Sequence, residues 1–286
     1  MERWSISEFS TIRWSLQQEI EKYSQLGFGQ IGLWHQKLDD YEIESTEDWL
    51  FESQIGVSSL SWLGGFTGCD GISHQDAIKI SKEKIRLAAR LGANTVIFHP
   101  GARNGHTQRH AERLLYSALD ELVPCAIDFG IKLVLEPMDQ PFQSNWSIFP
   151  RWENTIKLIQ NYPENCLGIV LDLFHVGFNA AIFEKLDELV ERLFLVQVAD
   201  RSFGQIGIAN EENRRIVGQG DIPLLEWIQK FESVGYQGNY EIEYHGPEFE
   251  FADYESVLVE TRNWIEQPEV AELFGGYAKE LGDRRS

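Results

Sequence analysis

Four short apolar runs in this chain each end on an oxygen-bearing polar side chain: LVLE closes on Glu136, IVLD on Asp172, FLVQ on Gln197 and YEIE on Glu243. A carboxylate is costly to bury unless it is paired or bound to a cation, so three acids and an amide brought to one place call for a metal ion. No thiolate or imidazole belongs to the set. These hard oxygen donors favour Mg²⁺ or Mn²⁺, with Co²⁺ as a further occupant and zinc less suited. A divalent ion holding adjacent oxygens of a carbonyl compound would polarise the carbonyl and stabilise the enediolate left when the neighbouring C–H proton departs. Taken singly, each acid also suits a structural part, holding a helix N-terminus or an arginine. The four together carry the signal.

Positioning them at one mouth requires a particular framework. Eight apolar or β-branched runs, at 3–7, 30–34, 56–61, 95–99, 132–136, 168–173, 193–198 and 240–244, alternate with segments of helical period at 16–26, 44–52, 75–91, 108–129, 151–161, 182–192, 223–234 and 253–266. Repeated βα units of this kind predict a parallel sheet, and eight of them a (β/α)₈ TIM barrel in one α/β domain, residues 1–266, followed by a C-terminal tail, 267–286. Glycines at 27, 92, 130 and 235 stop helices, and Pro137 ends the fifth strand directly after Glu136. The four polar residues therefore fall at the C-terminal ends of strands five to eight, the end that builds active sites in this fold. Two connections, 138–150 and 199–221, are long enough to act as lids or binding loops. Phe142, Trp146 and Phe149 suit an apolar lid, or equally a packed loop or a subunit contact. Glu241, two residues before Glu243, points to the same face. It reads either as a partner of the metal site or as a buried salt bridge to Lys132.

Composition narrows the partners. The 286 residues are 43% hydrophobic, enough for a full core, and carry 45 acidic against 25 basic side chains for a formal charge of −20. Such an exterior repels nucleic acid and anionic membranes. No run approaches the roughly 20 apolar residues of a membrane span, and the N-terminus has no basic region followed by an apolar stretch, so a soluble cytoplasmic protein is expected. Cys69, Cys125 and Cys166 show no CxxC spacing and predict neither a disulfide framework nor a thiolate zinc site.

The stretches LVLEP, VLDLFHVG, LVQVADR, RRIVGQGDIP and GYQGNYEIEY resemble, in order and spacing, the strand-end motifs of the xylose isomerase-like superfamily of sugar isomerases and epimerases. That superfamily includes ketose 3-epimerases, hydroxypyruvate isomerases, inosose dehydratases and apurinic endonucleases. The resemblance implies one divalent metal on Glu136, Asp172, Gln197 and Glu243. Many members have His at the third ligand position; Gln197 is similar to the hydroxypyruvate isomerase and inosose dehydratase branches. The resemblance further implies substrate contacts from His175, Arg214, His99 and Trp34, with Arg215 and His35 as neighbours able to take those parts. Arg103, Arg109 and Arg201, with Arg214, are further candidates for an anion pocket.

By the same resemblance Glu136 and Glu243 are the catalytic acids of an isomerase or epimerase acting on a ketose or related small carbonyl compound. One removes a proton and the other returns one on the opposite face. Expulsion of a β-hydroxyl from the same intermediate would instead make the chain a lyase of the inosose or keto-sugar dehydratase type. An apurinic endonuclease relative would need more histidine ligands and a basic groove, and a metal-free binding barrel is the remaining alternative. The partner implied is a small carbohydrate, with no nucleic acid or membrane, and self-association is left open.

Overall fold

The computed structural model describes residues 1–68, 71–138, 146–149, 151–203 and 211–274. Eight strands, β1 (Trp4–Ser7), β2 (Gln30–Trp34), β3 (Gly56–Leu63), β4 (Thr95–Phe98), β5 (Lys132–Leu135), β6 (Leu167–Asp172), β7 (Leu193–Val198) and β10 (Asn239–Ile242), close into a barrel in the order β1-β10-β7-β6-β5-β4-β3-β2. Every neighbouring pair is parallel. Between β7 and β10, within the long connection expected at 199–221, the chain adds an antiparallel ribbon of β8 (Asp200–Arg201) and β9 (Arg214–Arg215).

Period-two alternation decides which side chains reach the inside. Ile97, Val134, Val170 and Leu195 form a small cluster of their own, while their neighbours Val96, Phe98, Leu133, Leu135, Ile169, Leu171 and Val196 join the main core. The two sets are the inner and outer faces of the sheet. Continuing the inner set by two residues on β4 to β7 arrives at His99, Glu136, Asp172 and Gln197, and on β10 Glu241 leads to Glu243.

Helices Leu16–Gln25, Ile43–Ser53, His74–Arg90, Gln108–Asp128, Trp152–Ile159, Leu224–Ser233 and Tyr254–Ile265 cover the strands as the periodicity predicts. Ser15, Ser73 and Thr107 begin three of them, each side chain accepting a backbone N–H from the first turn. The helix expected at 182–192 is different. It is built as Ala180–Glu184, Leu186–Leu189 and a 3₁₀ turn, Val190–Arg192, breaking at Lys185 (φ −99°, ψ 7°). Ile182, Leu186 and Leu189 are buried at helical spacing, so the apolar pattern persists across a break that neither Gly nor Pro marks.

Residues 268–274 of the expected tail are helical, and Phe274 packs edge-on against Trp4 and Tyr240, 5.7 and 5.4 Å between ring centroids. This covers the outside of β1 and β10. The rest of the tail, together with Phe142 and Cys69, lies outside the described residues. Among the described residues no helix is long and apolar enough to cross a membrane.

Candidate active site

Inward parity and strand ends place His99, Glu136, Gln197 and Glu243 on one cavity of about 210 Å³, with His175 and His245 beside them and Phe9, Trp62 and Trp146 forming an aromatic side. Glu136 follows β5, and its Oε1 and Oε2 lie 3.6 Å from His175 Nε2 and 3.7 Å from His99 Nε2. Asp172 ends β6, where its Oδ1 accepts the Phe174 N–H at 2.8 Å and caps a single helical turn, Leu173–Val176. That turn carries His175 back over the site. His175 Nε2 is 3.8 Å from Asp172 Oδ2, and ligand atoms of Glu136, Asp172 and His175 all fall within 4.8 Å of one another.

Gln197 and Glu243 complete the arrangement from the other side. The Gln197 amide donates to Glu243 Oε1 at 3.1 Å and to Glu241 Oε1 at 3.3 Å, while its own Oε1 is buried with no hydrogen-bond partner among the described residues. Arg214, on the β9 strand of the ribbon, is fully buried. Its guanidinium stacks 3.9 Å from the Phe174 ring centroid, donates to the Glu243 carbonyl at 2.9 Å, lies 3.5 Å from Asp172 Oδ2 and meets His245 Nε2 at 2.9 Å. Arg215 turns outward to Glu248 instead, so Arg214 is the one of the pair that reaches the site.

The electrostatics follow from crowding acids in a dry place. Burial pushes Glu243 well above the usual carboxylate range, and the charges of Asp172 and Glu136 push it further, with Arg214 opposing. Asp172 is raised by burial against the pull of Arg214. The histidines shift the other way: burial lowers His99 to about 4, and burial followed by the Arg214 charge holds His175 and His245 well below their ordinary value. Near neutral pH all three imidazoles are uncharged.

Trp34 is placed differently from the other expected contacts. It is half-buried, 5.1 Å from the Phe9 ring, and is not among the residues lining the cavity. Arg201 stacks on Phe174 and Phe178, at 5.5 and 4.7 Å. The alternative of a Glu241–Lys132 salt bridge is overturned: Lys132 is exposed and sits 4.6 Å over the Phe194 ring, while Glu241 is wholly inside the barrel. Sequence reasoning missed His245, Trp62 and Phe9. His245 had a readable signal, since it stands two residues beyond Glu243 on the inward parity. The aromatic pair had none, because the loop after β1 and the end of β3 fold over the mouth through tertiary packing.

The residues present fit a cation: ligand atoms of the buried Glu136, Asp172 and His175 lie within 4.8 Å of one another, and Gln197 Oε1 is a buried acceptor with no hydrogen-bond partner among the described residues, as a ligand position would be.

Comparison with known proteins identifies the family and the fold. A family model described as a xylose isomerase-like TIM barrel matches residues 20–267. The chain is 24% identical over 216 residues to an inosose isomerase of Halalkalibacterium halodurans, 74% of each chain being covered. It is 28% identical over 172 residues to an uncharacterized protein of Methanocaldococcus jannaschii, where the match takes in 58% of this chain and about half, 56%, of that protein's length. Among solved structures, the IolI protein with a bound zinc atom superposes with a TM-score of 0.78 at 20% identity, covering 95% of this chain and 99% of that one.

Proposed function

The chain belongs to the xylose isomerase-like TIM barrel family, and from that premise we propose that it is a divalent-metal-dependent sugar isomerase or epimerase moving a proton at a carbon next to a carbonyl. The observation that carries the reading is the cluster of buried acids at one cavity: Glu136, Gln197 and Glu243 line it, Asp172 is buried beside it with an oxygen within 4.8 Å of ligand atoms of Glu136 and His175, and the amide oxygen of Gln197 has no donor among the described residues. Glu136, Asp172, Gln197 and Glu243 would hold the ion, which supplies Lewis acidity for the carbonyl when bound. The zinc of the IolI structure and the inosose isomerase among the curated relatives support both halves of the proposal.

The chain's own residues supply the rest. Glu136 and Glu243 stand on strands separated by β6 and β7, so their carboxylates address a bound sugar from different sides. One takes the proton and the other returns one. His175 and His99, uncharged and beside Glu136, hydrogen-bond hydroxyl groups without competing for the proton. Arg214, locked between Phe174, the Glu243 carbonyl and His245, holds that edge of the site rigid. Phe9, Trp62 and Trp146 give an apolar wall and exclude water. The volume of about 210 Å³ is below the roughly 300–1,000 Å³ of sites for drug-sized ligands, in keeping with a small carbohydrate.

The test is incubation of free and phosphorylated ketoses, hydroxypyruvate and inososes with the protein and Mn²⁺ in D₂O, followed by NMR. One class should isomerise and take up deuterium at the carbon beside the carbonyl. Loss of water from the substrate instead would make the protein a lyase. Neither exchange nor product across the panel would overturn the reading.

A further inference from the structure

Glu241 is an anomaly in the barrel. Ile97, Val134, Val170 and Leu195 occupy its interior on four other strands, whereas β10 presents a fully buried carboxylate. Burying such a group is costly unless its oxygens are well satisfied, and three strands are adapted to receive it. On β2 the facing residue is Gly32, where an added Cβ would collide with Glu241 Oε2. On β3 both Ser58 and Ser59 donate to that same oxygen at 2.7 Å. Consecutive residues of a regular strand face opposite ways; here the register slips from Ile31↔Val57 to Gly32↔Ser59, and the bulge turns both hydroxyls inward. The remaining oxygen, Oε1, accepts from the Gln197 amide, its register partner on β7.

We propose that Glu241 is the positioning residue of the metal centre, acting through Gln197. A glutamine amide has two nearly isosteric orientations. Glu241 and Glu243 are both acceptors, so together they take the two amide protons and leave Gln197 Oε1 as the atom available to a cation. Glu243 is itself a proposed ligand and catalytic group, which leaves Glu241 as the carboxylate dedicated to the orientation. The bulge and Gly32 exist to seat that carboxylate, which explains a polar interior that packing alone would have filled with an aliphatic side chain.

This inference rests on the metal reading of the site, and Mn²⁺ binding by calorimetry separates the two. The wild-type protein should bind about one ion per chain. Glu241→Gln, which keeps the shape but no longer dictates which way the neighbouring amide turns, should weaken Mn²⁺ binding by about tenfold to a hundredfold, with the melting temperature of the metal-free protein unchanged or raised. In a Gln197→Ala background, where no amide remains to orient, the same change should have little further effect on affinity. Equal Mn²⁺ affinity in wild type and Glu241→Gln, or an undiminished effect in the Gln197→Ala background, would overturn the positioning role while leaving the metal site intact. A wild-type protein that binds no Mn²⁺ would overturn both.

Discussion

Glu136 and Glu243 each have two duties in the proposed site, ligand and proton carrier, and substitution can separate them. Replacing either by Gln keeps an oxygen donor and nearly the same volume but removes the basic carboxylate. Activity should fall by about a hundredfold or more, on the scale of losing a general acid or base, and excess Mn²⁺ should not restore it. Asp172→Asn should act mainly through metal affinity and recover in part at high Mn²⁺. Initial rates across a Mn²⁺ series distinguish these patterns; full recovery of both glutamate variants would exclude the two-carboxylate mechanism. The four ligand candidates were legible because each is a polar residue closing an apolar run. His175 and Arg214 needed the family resemblance, since one returns to the site through a single helical turn and the other through a two-residue ribbon. The Gln197 amide orientation and the serine pair beneath it were not legible at all, because they depend on a bulge that leaves no mark in the alternation of residue types.

The elements on the catalytic face are tied by a second buried charge cluster. Glu8, in the 3₁₀ turn after β1, and Glu19, in the helix Leu16–Gln25, share Lys37 from the short helix His35–Leu38. Lys37 Nζ lies 2.7 Å from Glu19 Oε1 and 3.7 Å from Glu8 Oε1, and Glu8 also accepts the Trp34 backbone N–H. Both acids are raised, first by burial, with Lys37 opposing. Because their folded values stand above their unfolded ones, the stability they contribute is present at low pH and lost as the pH rises through the folded values. Removing the cation leaves two buried carboxylates facing each other. Lys37→Met should therefore destabilise the protein by about 3 kcal/mol near pH 8, and by less near pH 5, where the acids are more fully protonated. Urea unfolding at the two pH values measures this, and an equal loss at both would show that the cluster is not held by charge. At this scale the sequence reading located the strands to within about two residues, since the barrel strands are buried runs of unambiguous period. It failed where helical spacing outlasts the helix, at Lys185, and where the ribbon is too short to have a period.

Taken whole, the molecule has surface acids and buried ones, Glu8 and Glu19 among the latter. Among the described residues most acids are on the surface, part of the 45 that give the chain its formal charge of −20. Glu136, Asp172, Glu241 and Glu243 are inside, gathered by the closing of the sheet, which brings β5, β6, β7 and β10 side by side. No local preference would place four acids there, and the fold bears their mutual repulsion with Arg214 as a nearby cation. A bound divalent ion relieves that repulsion in the native state alone, so it should raise stability by mass action as well as complete the site. Calorimetric titration of the metal-free protein with Mn²⁺, with the melting temperature followed alongside, tests this most directly. About one ion per chain and a higher melting temperature are expected; no binding heat and no thermal shift with Mn²⁺, Mg²⁺ or Co²⁺ would contradict a metal site at these residues.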